Sequence, residues 1–363
     1  MLRFLFLVLA LPVGLIWAAE PGAVITWGNP LPTPKGVTNA VAVATKAGGG
    51  STHGLALLSD GKVFAWGLNN FGQTNTPLSL TIAIGIAAGQ YHSLALRADG
   101  TVAGWGRPPE STPPSGLSNV VAVAAGYAHS LALLANGTVR GWGSGITIPI
   151  DLTNVIAIAA GVDHNLALKS NGTVVAWGGV NQWGQRNVPA GLSNVVALAA
   201  GRMTSLALKD DGTVTAWGGL GGAPPVGLAD VTVIAAGASG MGILSDHRLV
   251  TWAAGAYTVP PIKQTNFIAV ATGDDASVAL TLQPVISAQP TNITVAAGNN
   301  RTLAVGAFGS TPPSYQWRQN ALDLAGATNS SLALTDLQAA NAGGYDVLIS
   351  NAGGSITSAV ATV

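Results

Sequence analysis

Cysteine is absent from the 363 residues, which excludes disulfides, thiol nucleophiles and cysteine-ligated metals. Charge is scarce: 15 basic and 15 acidic residues make up 8 % of the chain and cancel to a formal net charge of zero. A neutral chain lacks the basic footprint with which nucleic-acid binders hold phosphates, so no nucleic-acid partner is expected. Beyond the N-terminus no run is long and apolar enough to cross a membrane. No HExxH, P-loop, dinucleotide fingerprint or Ser-His-Asp order occurs. The expectation is therefore a protein that is not an enzyme and has no cofactor.

The N-terminus reads as an export signal. Arg3 supplies a small positive region, Phe4 to Ile16 is almost wholly apolar, and Ala18-Ala19 offers small residues for cleavage. Trp17 fits the −3 position poorly, which leaves the cleavage point open. An uncleaved anchor is the alternative, but about 14 apolar residues fall short of the roughly 20 that a helical span needs. Residues 1–19 are predicted to be a signal peptide. The mature chain would start near Glu20 and be secreted, cell-surface or periplasmic.

What the chain does have is a repeat. The stretch Asn119 to Gly143, NVVAVAAGYAHSLALLANGTVRGWG, recurs seven times with a period of 35 to 40 residues. A first run of small and β-branched residues ends at Gly50, Gly89, Gly126, Gly161, Gly201, Gly237 or Gly273. Three residues later stand His53, His92, His129, His164, Thr204, Gly240 and Ala276. A second apolar run follows, then a turn, five times Asp-Gly or Asn-Gly and once Asp246-His247. A third run closes on Trp66, Trp105, Trp142, Trp177, Trp217 or Trp252. Short apolar runs joined by Asn-Gly or Asp-Gly are strands joined by hairpins. Each repeat is thus a three-stranded antiparallel sheet, and sheets at this period make a β-propeller.

The two ends are out of phase. The chain opens with an orphan third strand, Val24 to Gly28, and the array finishes with an orphan first and second strand, Phe267 to Leu282. Pairing them completes a seventh blade and removes open edges, where a linear solenoid would leave unpaired strands. The first runs are mostly small residues and belong nearest the axis. Leu131, Leu133 and the tryptophans would fill the space between blades, each indole N–H bonded to a neighbouring backbone.

The pattern AAGxxHSLALxxNGTVxxWG resembles the repeat of the chromosome-condensation-regulator (RCC1-like) propellers. The short period and the linkers Asn69 to Pro77 and Asn181 to Pro189 resemble its short-blade bacterial members, which include a secreted β-lactamase inhibitor. The resemblance covers about residues 23 to 282 and implies a seven-bladed, all-β propeller over 20–283. It leaves a β-lactamase-inhibitor-like role as one alternative function.

After Leu282 the pattern stops, and Gln283-Pro284 and Gln289-Pro290 mark a linker. About seven short runs follow: ITV, RTLAV, SYQW, an Ala-rich turn, SLALT, GYDVLIS and SAVATV. Residues 284–363 resemble an immunoglobulin-like β-sandwich. Trp317 matches its core tryptophan and Tyr345 its tyrosine corner, while Val305 and Val347 stand where that family usually has its two cysteines.

Few side chains invite chemistry. His53, His92, His129 and His164 sit at one position in successive blades. A metal would need several on one ion, and one per blade suits a turn-capping role instead. Asp163 and Asp274-Asp275 lie in Gly-x-x turns and read as solvated acids. Asn136, Asn171 and Asn292 open N-x-T sequons, the first two explained by hairpin turns. The loops are better candidates. The Gly-x-x turns and the segments after Trp-Gly should share one face, which would display Phe71, Gln90, Tyr91, Tyr127, Asp163, Trp183, Arg202 and Met203. Tyr, Trp, Arg and Met are the residues that protein interfaces favour. The sequence thus predicts a non-enzymatic binding module whose turn face contacts an extracellular or envelope protein. The alternatives are a structural or adhesive surface protein that binds glycan or envelope, and a regulator or enzyme using the propeller mouth.

Overall fold

The computed structural model describes residues 20–28, 31–48, 51–219, 222–252 and 264–363. The predicted signal segment, 1–19, lies outside the described residues. Seven three-stranded antiparallel sheets form among them. Six are continuous in sequence. Blade one is Ala40–Gly48, Ser51–Leu58 and Val63–Gly67; blade two Ala83–Ala88, His92–Arg97 and Val102–Gly106; blade three Val120–Ala125, His129–Leu134 and Val139–Gly143; blade four Val155–Ala160, Asn165–Lys169 and Val174–Trp177; blade five Val195–Ala200, Thr204–Lys209 and Val214–Gly218; and blade six Val231–Ala236, Gly240–Leu244 and Leu249–Trp252. The seventh joins Phe267–Thr272 and Ala276–Thr281 to the N-terminal strand Ala23–Gly28. Trp27 lies opposite Ser277 there, just as Trp142 lies opposite Ser130 in blade three. The closure expected from the out-of-phase ends is therefore present.

The inner strands touch in cyclic order, blade one to blade two and onward to blade seven, which touches blade one again. Their small residues allow this convergence. At Gly201 a Cβ would lie 2.3 Å from the Gly237 carbonyl oxygen of the next blade, so the ring closes only with glycine there. Each inner strand carries a bulge after its first residue, as between Val120 and Ala122. The residue before it is Asn or Asp at positive φ in Asn119, Asn154, Asn194, Asp230 and Asn266, a conformation these side chains tolerate. That is the physical reason for the recurrent Asn-Val.

Between blades the core is aliphatic and aromatic. Leu131 and Leu133 of blade three pack with Ile158, Ala160 and Trp177 of blade four. Trp142 reaches back to Leu94 and Leu96 of blade two. Each such leucine, fully withdrawn from water, contributes on the order of 2 kcal/mol. The indole N–H groups of Trp105, Trp142 and Trp217 donate to the carbonyls of Gln73, Glu110 and Gln185 at 2.8–2.9 Å. Those of Trp27, Trp66, Trp177 and Trp252 are buried with no partner among the described residues, so the expected backbone bond holds for three of seven.

Lys46 of blade one crosses the axis. Its Nζ donates to Ala160 O at 2.7 Å and Ala200 O at 3.1 Å, and burial lowers its pKa to about 8 against the opposing pull of Asp274. The long stem fills the channel where blades four and five present inner carbonyls.

The C-terminal sandwich starts at Val285–Ala288 rather than at the ITV run, which forms no strand. The RTLAV run forms the strand Arg301–Ala304, and a further strand, Gly306–Phe308, follows it after Val305. Ser314–Gln319 pairs with Gly344–Asn351, setting Trp317 opposite Val347. Trp317, Val305, Val347, Tyr345 and Ile349 are buried together, so apolar packing stands in the place of a disulfide. Tyr345 Oη donates to Asn341 O at 2.8 Å, the tyrosine corner. This domain meets the propeller at the end where blade seven's middle strand exits. Asn351 Nδ2 and Ser310 Oγ both donate to Leu282 O, and Gln283 Nε2 donates to Ser355 O at 3.1 Å. That is the hairpin end, opposite the turn face.

Candidate partner-binding face

The registers settle which loops share a face. His129 pairs with Gly143 and Val120 with Leu134. The Gly-x-x turns and the post-Trp segments therefore emerge together, and the Asn-Gly hairpins emerge at the other end, as expected.

The histidines belong beneath this face, not on it. His53 Nε2 meets Ser93 Oγ at 2.9 Å, His92 meets Ser130 at 2.8 Å, His164 meets Ser205 at 3.0 Å, and His129 meets Asn165 Oδ1 at 2.7 Å. In each pair the partner lies in the next blade. Each serine gives its one proton to a loop carbonyl, that of Gln73, Glu110 or Gln185. The imidazole Nε2–H must then be the donor to the serine oxygen. Burial lowers the pKa of His53 to about 4 and those of His92 and His164 to about 3, and it lowers that of His129 as well. These are neutral inter-blade links, which corrects the turn-capping role expected from sequence. Among the described residues no group of three or more His, Asp or Glu could hold a metal.

The sixth blade corrects the alignment as well. Gly237 N bonds Ser239 O, where blades two to five and seven bond a residue three positions on, and Gly240 faces Trp252; in blade one Lys46, not a glycine three residues before it, lies opposite His53. The blade-six turn is one residue shorter, so Ser239 rather than Gly240 occupies the histidine position.

The linker motif Asn-x-x-Gly-Gln has a structural task. Asn69 Oδ1 accepts from Thr74 N, Asn69 Nδ2 donates to Asn75, and Gln73 Oε1 accepts from Phe71 N. The Asn181 to Gln185 loop repeats these bonds. The fold of each loop holds out the intervening aromatic, Phe71 or Trp183, which stay 46 % and 45 % exposed.

Four of the predicted residues come together. Phe71, on the blade-one exit loop, lies 4.9 Å from Tyr91 of the blade-two turn, ring to ring. Tyr91 stands edge-on to Tyr127 of the blade-three turn at 5.9 Å, and Gln90 Nε2 donates to Tyr91 Oη at 2.8 Å. Gln90 is buried, which corrects its placement among the exposed residues; it supports the tyrosine from below. The Tyr91 hydroxyl, with partial burial, raises the Tyr127 phenol above its ordinary value.

Sequence reasoning missed the centre of this cluster. Arg107, one residue past Trp105-Gly106, lays its guanidinium 4.6 Å from the Tyr91 ring centroid and 5.8 Å from that of Phe71. Its Nε donates to Glu110 Oε1 at 2.5 Å, and Glu110 is fully buried. The signal was available: Arg and Glu three apart on a loop that leaves beside the Gly-Gln-Tyr turn.

The remaining candidates share the face but stay outside the cluster. Asp163 is exposed beside Gly179. Trp183 leans on Gly219, where a Cβ would meet its ring at about 3 Å. Arg202 of blade five pairs with Asp274 of blade seven at 3.7 Å, and Met203 is half-buried, its carbonyl accepting from Gly219 N.

Comparison with known proteins agrees with this architecture. The family described as regulator of chromosome condensation (RCC1) repeat matches residues 43–73, 83–109, 120–145 and 155–185, and that described as immunoglobulin domain matches 283–351. No curated protein matches the chain. Among solved structures, Prp20p from Saccharomyces cerevisiae has a TM-score of 0.58 at 21 % identity, covering 73 % of this chain and 92 % of that one. The CRINKLY WD40 ectodomain of the Arabidopsis thaliana receptor kinase ACR4 has a TM-score of 0.55 at 22 % identity, covering 64 % and 89 %. Human WBSCR16 has a TM-score of 0.52 at 20 %, covering 66 % and 86 %. At these identities the likeness is one of fold, and no enzyme family is among the matches to the chain's sequence. The chain therefore carries regulator of chromosome condensation repeats across residues 43–185 and an immunoglobulin-like domain at 283–351, joined in an all-β propeller-and-sandwich protein.

Proposed function

We propose that this is an exported, non-enzymatic recognition protein that binds another protein through the turn face of its propeller. The observation that carries the reading is the Phe71–Tyr91–Tyr127 cluster with Arg107 stacked on it. Three successive blades deliver these side chains to one patch. Ring-on-ring and ring-on-guanidinium contacts hold them before any partner arrives, which lowers the ordering cost of binding. Aromatic and arginine anchors of this kind carry most of the energy in protein interfaces. The sandwich is joined at the opposite end, so the turn face is left clear.

Export rests on the N-terminal sequence: the apolar run after Arg3 and the small residues before Glu20. It would place the partner outside the cell or in the envelope. The test is affinity capture from the producing organism's envelope and culture fluid, with the parent chain beside a Tyr91→Ala, Tyr127→Ala, Trp183→Ala variant. A protein retained by the parent and lost from the variant supports the reading. Equal recoveries would overturn the choice of face and favour a structural or adhesive role.

A further inference from the structure

We infer that Arg107 is a receptor for a single carboxylate side chain, so that the partner inserts an aspartate or glutamate into the aromatic cluster. This rests on the protein-binding reading above and goes further, because it names the chemistry that the face selects.

Arg107 is held through a single nitrogen. Only its Nε is engaged: that atom donates to Glu110 Oε1, and no other hydrogen bond of the guanidinium occurs among the described residues. The terminal Nη1 and Nη2 edge is left free. The side chain is 30 % exposed, and the flat face of the guanidinium is covered by Tyr91. A guanidinium whose terminal edge is open and whose plane is fixed presents two parallel N–H donors, the geometry that a carboxylate accepts bidentately.

The surroundings favour an anion over the other ligands an aromatic patch could take. An aromatic cage binds cations, but Arg107 already occupies the faces of Tyr91 and Phe71, so an incoming Lys or Arg meets like charge. A purely apolar anchor would cover the guanidinium edge and strip it of water without replacement bonds, which is costly. A carboxylate replaces that water with two charge-assisted bonds. Phe71 at 46 % and Tyr127 at 38 % exposed flank the position and would exclude solvent around the pair. Glu110 offsets part of the guanidinium charge from the Nε side, and the two bonds to a partner carboxylate would form at the opposite, terminal edge.

Two other arginines, Arg186 and Arg202, lie in loops of this face, and among the described residues neither has an aromatic ring against its guanidinium, so neither shares the ring-fixed plane of Arg107; the Arg202 Nε faces Asp274 at 3.7 Å. Selectivity for acid should therefore belong to Arg107 and not to the face as a whole.

The test is selection of a random dodecapeptide phage library on the purified full chain, with the peptides displayed so that no C-terminal carboxylate is free. A parallel library with free C-termini separates a side-chain carboxylate from a terminal one. The parent is expected to enrich, in the first library, peptides with an invariant Asp or Glu. Fluorescence polarisation of a recovered peptide should show binding about 30-fold weaker to Arg107→Gln, the loss expected when one partner of a hydrogen-bonded charge pair is removed. Arg202→Gln should bind as the parent does. Should Arg107→Gln unfold, Arg107→Met, which keeps the stacked volume without charge, takes its place. Acid enrichment that persists in the Arg107 variant, or that vanishes equally in Arg202→Gln, overturns the assignment. So does enrichment confined to free C-termini. Enriched peptides that need Tyr91 and Tyr127 but carry no acid would sink the carboxylate and leave the binding face standing. No enrichment at all would sink both.

Discussion

Lowering the pH from 7.5 to 5.5 should destabilise the propeller well before its carboxylates titrate. The cause is the row of buried histidines that tie blades one to five. Their folded pKa values lie below the unfolded value of about 6.5: about 4 for His53 and about 3 for His92 and His164. The sign follows directly. Between the folded and unfolded values the unfolded chain binds protons that the folded chain refuses, so stability falls as pH falls. It is fully present above about 6.5 and is lost progressively down to the folded values. At pH 5.5 the folded imidazoles remain neutral while the unfolded ones are about nine-tenths protonated, a loss of about 1.4 kcal/mol each relative to pH 7.5. Three sites give about 4 kcal/mol, a large share of the 5–15 kcal/mol typical of a domain, and His129 acts in the same direction. Urea unfolding followed by tryptophan fluorescence at pH 7.5, 6.5 and 5.5 measures this. His92→Gln retains an N–H for Ser130 Oγ but cannot titrate, so its pH-dependent loss should be smaller than the parent's by about 1.4 kcal/mol. A midpoint that stays constant from pH 7.5 to 5.5, or a variant with the parent's full pH dependence, would refute the reasoning.

Other expectations follow from single bonds and contacts. Ser130→Ala leaves the Glu110 carbonyl without its serine donor and the His92 Nε2–H without its acceptor, and should cost about 1–3 kcal/mol in urea unfolding. Gly201→Ala drives a Cβ to 2.3 Å from Gly237 O and should lower stability by about 1–3 kcal/mol through forced separation of the inner ring, again read from the urea midpoint. Tyr345→Phe removes the bond to Asn341 O and should cost about 1 kcal/mol, confined to the sandwich and visible as faster amide exchange in residues 338–347.

Much of the fold was legible because it repeats. Asn-Gly hairpins, Trp-Gly strand ends and the phase offset between the termini are local or countable, and they fixed blade composition and closure. Trp317 and Tyr345 were legible for the same reason, each carrying its motif within a few residues. The histidine links were not, since the partner of His92 is Ser130, 38 residues on, and that contact depends on how adjacent blades face one another. The short turn at Ser239 was hidden because Gly240 keeps the alignment in step for one residue and strand pairing alone reveals the slip. Gln90 carries a loop-like sequence context but folds beneath Tyr91. Arg107 went unnoticed because a stack is formed by residues from two loops, and the sequence shows each loop separately. Its neighbours Phe71, Tyr91 and Tyr127 could be read, because the register of an antiparallel blade dictates which turns share a face.

The recognition proposed for this turn face, centred on the patch around Arg107, is open to a direct measurement. Hydrogen-exchange mass spectrometry of the chain with its captured partner tests it most directly. Protection is expected in peptides spanning residues 69–75, 90–92, 106–110 and 126–128, with the hairpin turns at 136–137 and 171–172 unchanged. Protection confined to those hairpins, or to the sandwich at 285–363, would contradict it.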